Sequence, residues 1–439
     1  LTWNNMQSTY LGTKSDYSRT RFTLGNLGMA FNLYQGSGTL TSFTLGVGYS
    51  KLADFNTTSA AYGQGIDKSI TDVLAEYMNG VPLSSLGHPD NDPYQPFRRA
   101  DVGLWGGILA YQTGILDPMS DAQDNKQYTV ANNLATGSRI NPSMRNVNKG
   151  SIDEYSISGG FNIQNILYLG FTIGIQDILY RNDNYYAETY DNNPLPLNGM
   201  NYIRSLHLDG TGVNFKFGAV VRPVENLRIG VAVHTPTLVS INEEYIEWMS
   251  ADYKNTARGE LLDSPRSLNE YDINTPTRLL TGISYTLPGV GLITADYERV
   301  WYNRMKLRNM GTENWDFQQT INNEVSSFYQ PANNFRVGIE ATPAQNFYIR
   351  AGYANYGECI ATRDAFNNMS SINSYENYSA GLGFRFQNMY VDLAYIYTEY
   401  KYAPYTMFYY GDPDYVVNPG NVETKQSRNT ITMSVGVRF

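Results

Sequence analysis

The chain has 439 residues, among them 37 tyrosines and 39 glycines but only three histidines and one cysteine, a balance that favours strands and tight turns over helices. Its 32 basic residues against 41 acidic ones give a net charge of −9, which argues against nucleic acid as a partner. The lone Cys359 excludes a disulfide framework and, with so few histidines, any Cys/His zinc set; no run of 18 apolar residues exists to make a membrane helix, the most apolar stretch being the glycine-broken Ile166 to Ile175.

In chain order, "LTWNNMQSTYL" opens inside a strand-like pattern with no signal peptide, so processing or truncation is expected to have removed what came before. Apolar residues at every second position then mark one face of a strand: Phe43, Leu45, Val47 and Tyr49 against Thr44, Gly46, Gly48 and Ser50. The pattern recurs with Val213, Phe215, Phe217, Ala219 and Val221, with Phe335, Val337 and Ile339, and with Phe347, Ile349, Ala351 and Tyr353. Tyr378 to Phe386 and Val391 to Tyr397 repeat it, and the chain ends on Ile431, Met433, Val435, Val437 and Phe439. The opposite faces are small or charged: Lys216, Gly218, Arg336, Glu340, Arg350, Gly381, Gly383, Arg385 and Asp392.

The connections alternate. Short ones fall at 35–39, 162–165, 222–226, 287–291, 342–346 and 387–389; long ones at 54–150, 181–206, 249–272, 309–331, 359–373 and 403–426, with a modest loop near 12–17. About 14 strands, short turns at one end and long loops at the other is the signature of an all-β transmembrane antiparallel barrel of the outer-membrane type. A soluble sandwich has no reason to gather its long loops at one end. Tyrosine clusters such as Tyr395 to Gly411 fit an aromatic girdle near strand ends. Pro236, which donates no ladder hydrogen bond, suggests a bulge or local edge.

Within 54–150, Ile66, Ile70, Val73, Leu74, Tyr77 and Met78 stand at helical spacing with Gly80 as a stop. A second stripe, Val102, Trp105, Leu109 and Leu116, would be capped by Asp101 and ended by Asp117-Pro118. Two amphipathic helices in an extracellular loop need an apolar partner. They either pack on each other and the rim as a lid, or leave a greasy groove lined by Val73, Leu74, Tyr77, Met78, Trp105, Ile108, Leu109 and Leu116.

"NNFRVGIEATPAQNFYIRAGYANYG" (333–357), "TPTRLLTGISYTLPGVGLITADYERVWY" (275–302) and "RPVENLRIGVAVHTP" (222–236) resemble hairpins of the FadL/TodX-type outer-membrane transporters of fatty acids and other hydrophobic compounds. The resemblance covers most of the chain and implies uptake of a hydrophobic ligand by the loops, passage through a monomeric barrel and release through a lateral gap beside a kinked strand, without a cofactor or metal. The third strand is the equivalent place, with Gly46 and Gly48 as gap candidates; room for side chains in the lumen is the other reading of glycine there. The family's N-terminal plug is not seen ahead of the first strand. A terminal Phe439 resembles the signal read by the barrel-assembly machinery, and outer-membrane lipid and lipopolysaccharide are the expected surroundings. A general diffusion porin or a surface-binding barrel is the alternative.

Enzymatic readings lack residues. His88, His207 and His234 stand in unrelated contexts, and neither a Gly-x-Ser-x-Gly elbow nor a phosphate loop occurs. Asp412 and Asp414 in "GDPDYVVNPG" suit a solvated turn better than weak Ca²⁺ binding.

Overall fold

The computed structural model describes residues 1–86, 92–254, 260–311, 314–361, 371–412 and 415–439. The alternating segments are strands: β1 (Thr2–Tyr10), β2 (Thr13–Arg21), β3 (Asn26–Gln35), β4 (Leu40–Asp54), β5 (Thr57–Tyr62), β6 (Arg139–Ile163), β7 (Leu167–Asp191), β8 (Leu197–Val224) and β9 (Leu227–His234). They continue as β10 (Leu238–Tyr253), β11 (Ser267–Asn274), β12 (Arg278–Leu287), β13 (Gly291–Trp301), β14 (Pro331–Ala344), β15 (Phe347–Tyr356), β16 (Ser371–Arg385), β17 (Met389–Ala403) and β18 (Asn421–Val437). One sheet of 21 strands holds them, all pairs antiparallel. Setting aside three pieces of two or three residues, and joining the collinear pairs β2/β3, β4/β5, β9/β10 and β11/β12, leaves the 14 wall strands that the sequence led us to expect.

The last strand closes on the first, Thr2 opposite Thr430 through to Tyr10 opposite Val422. Closure matters because a lipid-facing edge would leave backbone donors and acceptors without partners. The alternating apolar residues point outward and stay exposed: Phe215, Phe217, Phe335, Val337, Ile339, Leu382, Phe384, Met433 and Val435 among them. Two aromatic tiers frame this band. Phe43–Phe161 and Phe347–Phe384 rings lie 4.9 Å apart near the short turns, and Tyr49–Tyr155 (5.6 Å) and Tyr353–Tyr378 (5.2 Å) lie six residues further along the same strands. Six residues span about 20 Å of strand, or about 15 Å in height at a typical tilt.

Several expected loops are in fact wall. β7 runs on to Asp191 and β8 restarts at Leu197, so the 181–206 connection shrinks to a tight turn; the long insertion of 54–150 is likewise trimmed to 63–138. Above the band the outward face no longer meets lipid and needs no uninterrupted apolar run, so the period-two signal fades there while the hydrogen-bonded ladder continues.

Two prolines break neighbouring strands at one level. Pro236 separates β9 from β10 and Pro276 separates β11 from β12. Threonine hydroxyls fill the ladder: Thr275 Oγ1 accepts from Thr237 N at 2.8 Å, and Thr235 Oγ1 from Phe215 N at 3.0 Å. The bulge expected at Pro236 is present; its twin at Pro276 was not anticipated.

A third interruption lies between β2 and β3, where 22–25 leave the ladder and Phe22 is 85 % exposed. β2 meets β4 and β5 through side chains instead, with Arg21 and Asp54 of β4 3.3 Å apart and the hydroxyls of Tyr17 and Tyr62 of β5 at 3.3 Å.

Candidate functional site: the mouth and lumen of the barrel

The insertion 63–138 folds into the long-loop end of the barrel. Its first helix, α1 (Ile70–Met78), begins with a capping box: Thr71 N donates to Ser69 Oγ at 3.1 Å and Ser69 N donates to Asp72 Oδ2 at 3.2 Å. It ends at Asn79, before the left-handed Gly80 (φ +98). The second, α2 (Trp105–Gln112), receives no side-chain cap from Asp101 and stops at Thr113 and Gly114, ahead of the expected Asp117-Pro118 end. Trp105 through Ala110 are all buried. This helix is therefore enclosed on every side, not amphipathic.

The groove read from the sequence is closed. Val73, Leu74, Met78, Trp105, Ile108, Leu109 and Leu116 are each no more than 5 % exposed and belong to one apolar core with Tyr186, Tyr190, Met200, Tyr202 and Met249 from the inner wall. Only Tyr77 stays open, its ring 5.7 Å from Tyr410 in an edge contact. The reason is that both helices use all their apolar surface on each other and on the wall. The two helices approach closely at Gly107, where an added Cβ would lie 2.5 Å from Met78. A second loop closes from above: Tyr405, Met407, Phe408 and Val417 are buried in the same core, and Tyr10 Oη donates to Pro419 O at 2.6 Å.

One carboxylate pins the insertion to the wall. Glu188, in β7, is 1 % exposed and accepts from Ile70 N (2.8 Å), Tyr186 Oη (2.6 Å), Tyr190 Oη (2.9 Å) and Ser69 Oγ. It receives the free N–H at the start of α1, where negative charge is favoured. Among the described residues no cation pairs with it, and burial pushes its pKa above the ordinary value even though the four donors pull it down. Tyr253 Oη, donating to Thr113 O at 2.9 Å, fixes the far end of α2.

Below this cap the lumen wall is charged and paired. Glu154 pairs with Lys216 and accepts from Gln176 (3.0 Å) and Asn214 (3.2 Å). Glu298 pairs with Arg336 and lies 3.6 Å from Arg278; Arg350 joins Glu340 (2.6 Å) to Asp392 (2.7 Å), which Arg385 also reaches (3.2 Å). Across one register row Tyr356, Tyr375 and Tyr400 stack side by side, ring centroids 4.0 and 5.4 Å apart. Arginines cover both ends of this ladder, Arg336 over Tyr356 at 5.2 Å and Arg428 over Tyr400 at 5.3 Å. The lumen thus offers aromatic faces between charges that already have partners.

Gly46 and Gly48 do not open the wall. Gly46 pairs with Ala30 on one side and Ser158 on the other, Gly48 with Gly28 and Ser156, in unbroken register. The break in the wall is at 22–25 instead. His234 lies in the inward row between Lys216 and Arg278, His207 faces outward in β8 opposite Arg181, and His88 lies outside the described residues, as does Asp414.

No family model and no curated protein match the chain. Among solved structures it is similar to the toluene transporter TodX of P. putida (12 % identity, TM-score 0.48, 100 % of this chain and 89 % of that one). A FadL homologue of Pseudomonas aeruginosa (12 %, 0.47, 100 % and 89 %) and the toluene transporter TbuX of Ralstonia pickettii (12 %, 0.43, 100 % and 88 %) are similar to the same extent.

Sequence reasoning missed the Glu188 anchor because "YYAETY" fell inside an assumed loop. Read as a strand, Tyr186, Glu188 and Tyr190 share one face. A lone carboxylate between two tyrosines on an inward face was the available signal.

Proposed function

We propose that the chain is an outer-membrane barrel that carries hydrophobic small molecules inward, of the long-chain fatty acid or aromatic type, one ligand at a time through a capped mouth. The observation that carries this reading is the apolar core plugging the long-loop end, taken with the aromatic ladder beneath it. A water-filled pore offers an apolar solute no favourable contact, whereas a cap that parts over an aromatic lining does, at roughly 0.8 kcal/mol per buried CH₂. The cap faces outward from the cell, since short turns lie on the periplasmic side of such barrels. Release sideways into the bilayer uses the ladder break at 22–25 beside Phe22 and Leu24, not Gly46 and Gly48. The barrel works as a monomer, with lipopolysaccharide around it.

The diffusion-porin alternative requires an open mouth, and a packed core at that position weighs against it. The experiment is paired. In planar bilayers the purified barrel should show little steady ion conductance, while in liposomes it should speed entry of a fluorescent long-chain fatty acid over protein-free controls. Large steady conductance without fatty acid entry would replace the transporter with a porin.

A further inference from the structure

We propose that the outer face of β6, β7 and β8, just above the apolar band, is a binding site for the phosphorylated saccharide headgroup of an outer-leaflet lipid. This deepens the partner named above and rests on the outer-membrane reading. In a chain of net charge −9, three bases stand side by side in one register row: Lys149 opposite Arg181, and Arg181 opposite His207. Lys149 and Arg181 are like charges directly opposite each other on adjacent strands, an arrangement that is destabilising without an anion between them. The protein supplies only part of one. Arg181 Nε donates to both oxygens of Asp183 at 3.0 and 3.1 Å, yet its side chain stays 52 % exposed, and Lys149 forms no ion pair among the described residues. Four residues higher on the same face, Arg145 lies exposed over the Tyr185 ring at 4.6 Å.

The height selects the occupant. On β7 the outward apolar residues Leu169, Phe171, Ile173, Ile175 and Leu179, interrupted by Asp177, end two residues before Arg181. That places the row about 7 Å along the strand beyond Leu179, or about 5 Å in height at a typical tilt, within the headgroup zone. Arginine and lysine at this depth meet phosphates and sugar acids, with the guanidinium free to bind two oxygens at once. Beside the patch a cleft of about 560 Å³ is lined by Tyr17, Tyr62, Arg145, Tyr185, Ile203 and Leu261. Its aromatic walls suit a saccharide ring, which a free phosphate ion would not fill.

The test reconstitutes the barrel in nanodiscs and measures retention of diphosphoryl lipid A against the same lipid A with its phosphates removed. Wild type should prefer the diphosphoryl form at least tenfold. The preference should vanish in Arg145→Ser/Lys149→Ser/Arg181→Ser, and in about 1 M salt, where screening falls to about 3 Å. Arg228→Ser, at the short-turn end, should keep it. Equal retention of both lipids by wild type, or an unchanged preference in the triple variant, would overturn the proposal. So would displacement by millimolar inorganic phosphate, which would mark a free-anion site. Heat-modifiable migration on gels confirms that each variant is folded. A folded, inserted barrel with no lipid preference defeats this site alone, whereas failure of wild type to insert defeats the outer-membrane reading.

Discussion

Replacing Glu188 with alanine removes the one acceptor shared by Ser69, Ile70, Tyr186 and Tyr190. Each buried donor left without a partner costs about 1–3 kcal/mol, while removing an unneutralised buried carboxylate returns part of that. A net loss of about 2–4 kcal/mol in docking of α1 follows, or about 30- to 1,000-fold in the local opening equilibrium. Amide hydrogen exchange over 70–78 reads this directly, with the barrel held in detergent and exchange in 213–221 as the internal reference. The sign with pH is also fixed. Because burial raises the folded pKa of Glu188, the folded state holds the proton more tightly than the unfolded. Its contribution is fully present below the ordinary carboxylate value of 4.5 and is lost as pH climbs through the raised value. Protection of α1 should therefore decline over that window in wild type and stay flat in Glu188→Gln. Unchanged exchange in Glu188→Ala would refute the anchor.

Leu109→Ala, at a site with no exposure, should cost the cap about 2–5 kcal/mol and appear as faster proteolysis within 63–138, with the wall strands still resistant. Met433→Arg on the lipid face should destabilise the barrel by about 2–4 kcal/mol in urea titrations, whereas Ser434→Arg, facing the lumen, should change it by less than about 1 kcal/mol. Gly46→Ala should fold and transport normally, since an added Cβ meets nothing nearer than 3.7 Å; lost transport with intact folding would restore that glycine to the exit.

The membrane wall was legible because lipid imposes a strict period: Val213 to Val221 and Ile431 to Val437 must alternate or the barrel exposes polar atoms. Upper β7 and β8 were not legible as wall. Their inward residues, from Glu188 to Met200 and Tyr202, meet a folded loop, so polar and apolar side chains both serve. Helix α1 was readable from Ile70, Val73, Leu74 and Met78, but spacing states only that a face needs burial and not what covers it. That gap left a packed lid and an open groove both as readings of the spacing, and the filled core is the first of them. The strand interruption fared likewise: Gly46 and Gly48 stood in the glycine-rich strand, where the ladder is continuous at both, while the interruption at 22–25 is an ordinary "FTLG" with no proline and one glycine.

The central claim is that the cap must part for a ligand to pass. In a Cys359→Ser background, Thr113→Cys/Tyr253→Cys places thiols where the end of α2 meets β10, and a short thiol-specific cross-linker ties the cap to the wall. Fatty acid entry into liposomes should fall to the protein-free rate on cross-linking, stay normal in the untreated double variant, and return when a reducible linker is cleaved. Undiminished entry through a fully cross-linked barrel would contradict the account, because the ligand would then have a route that leaves the cap in place.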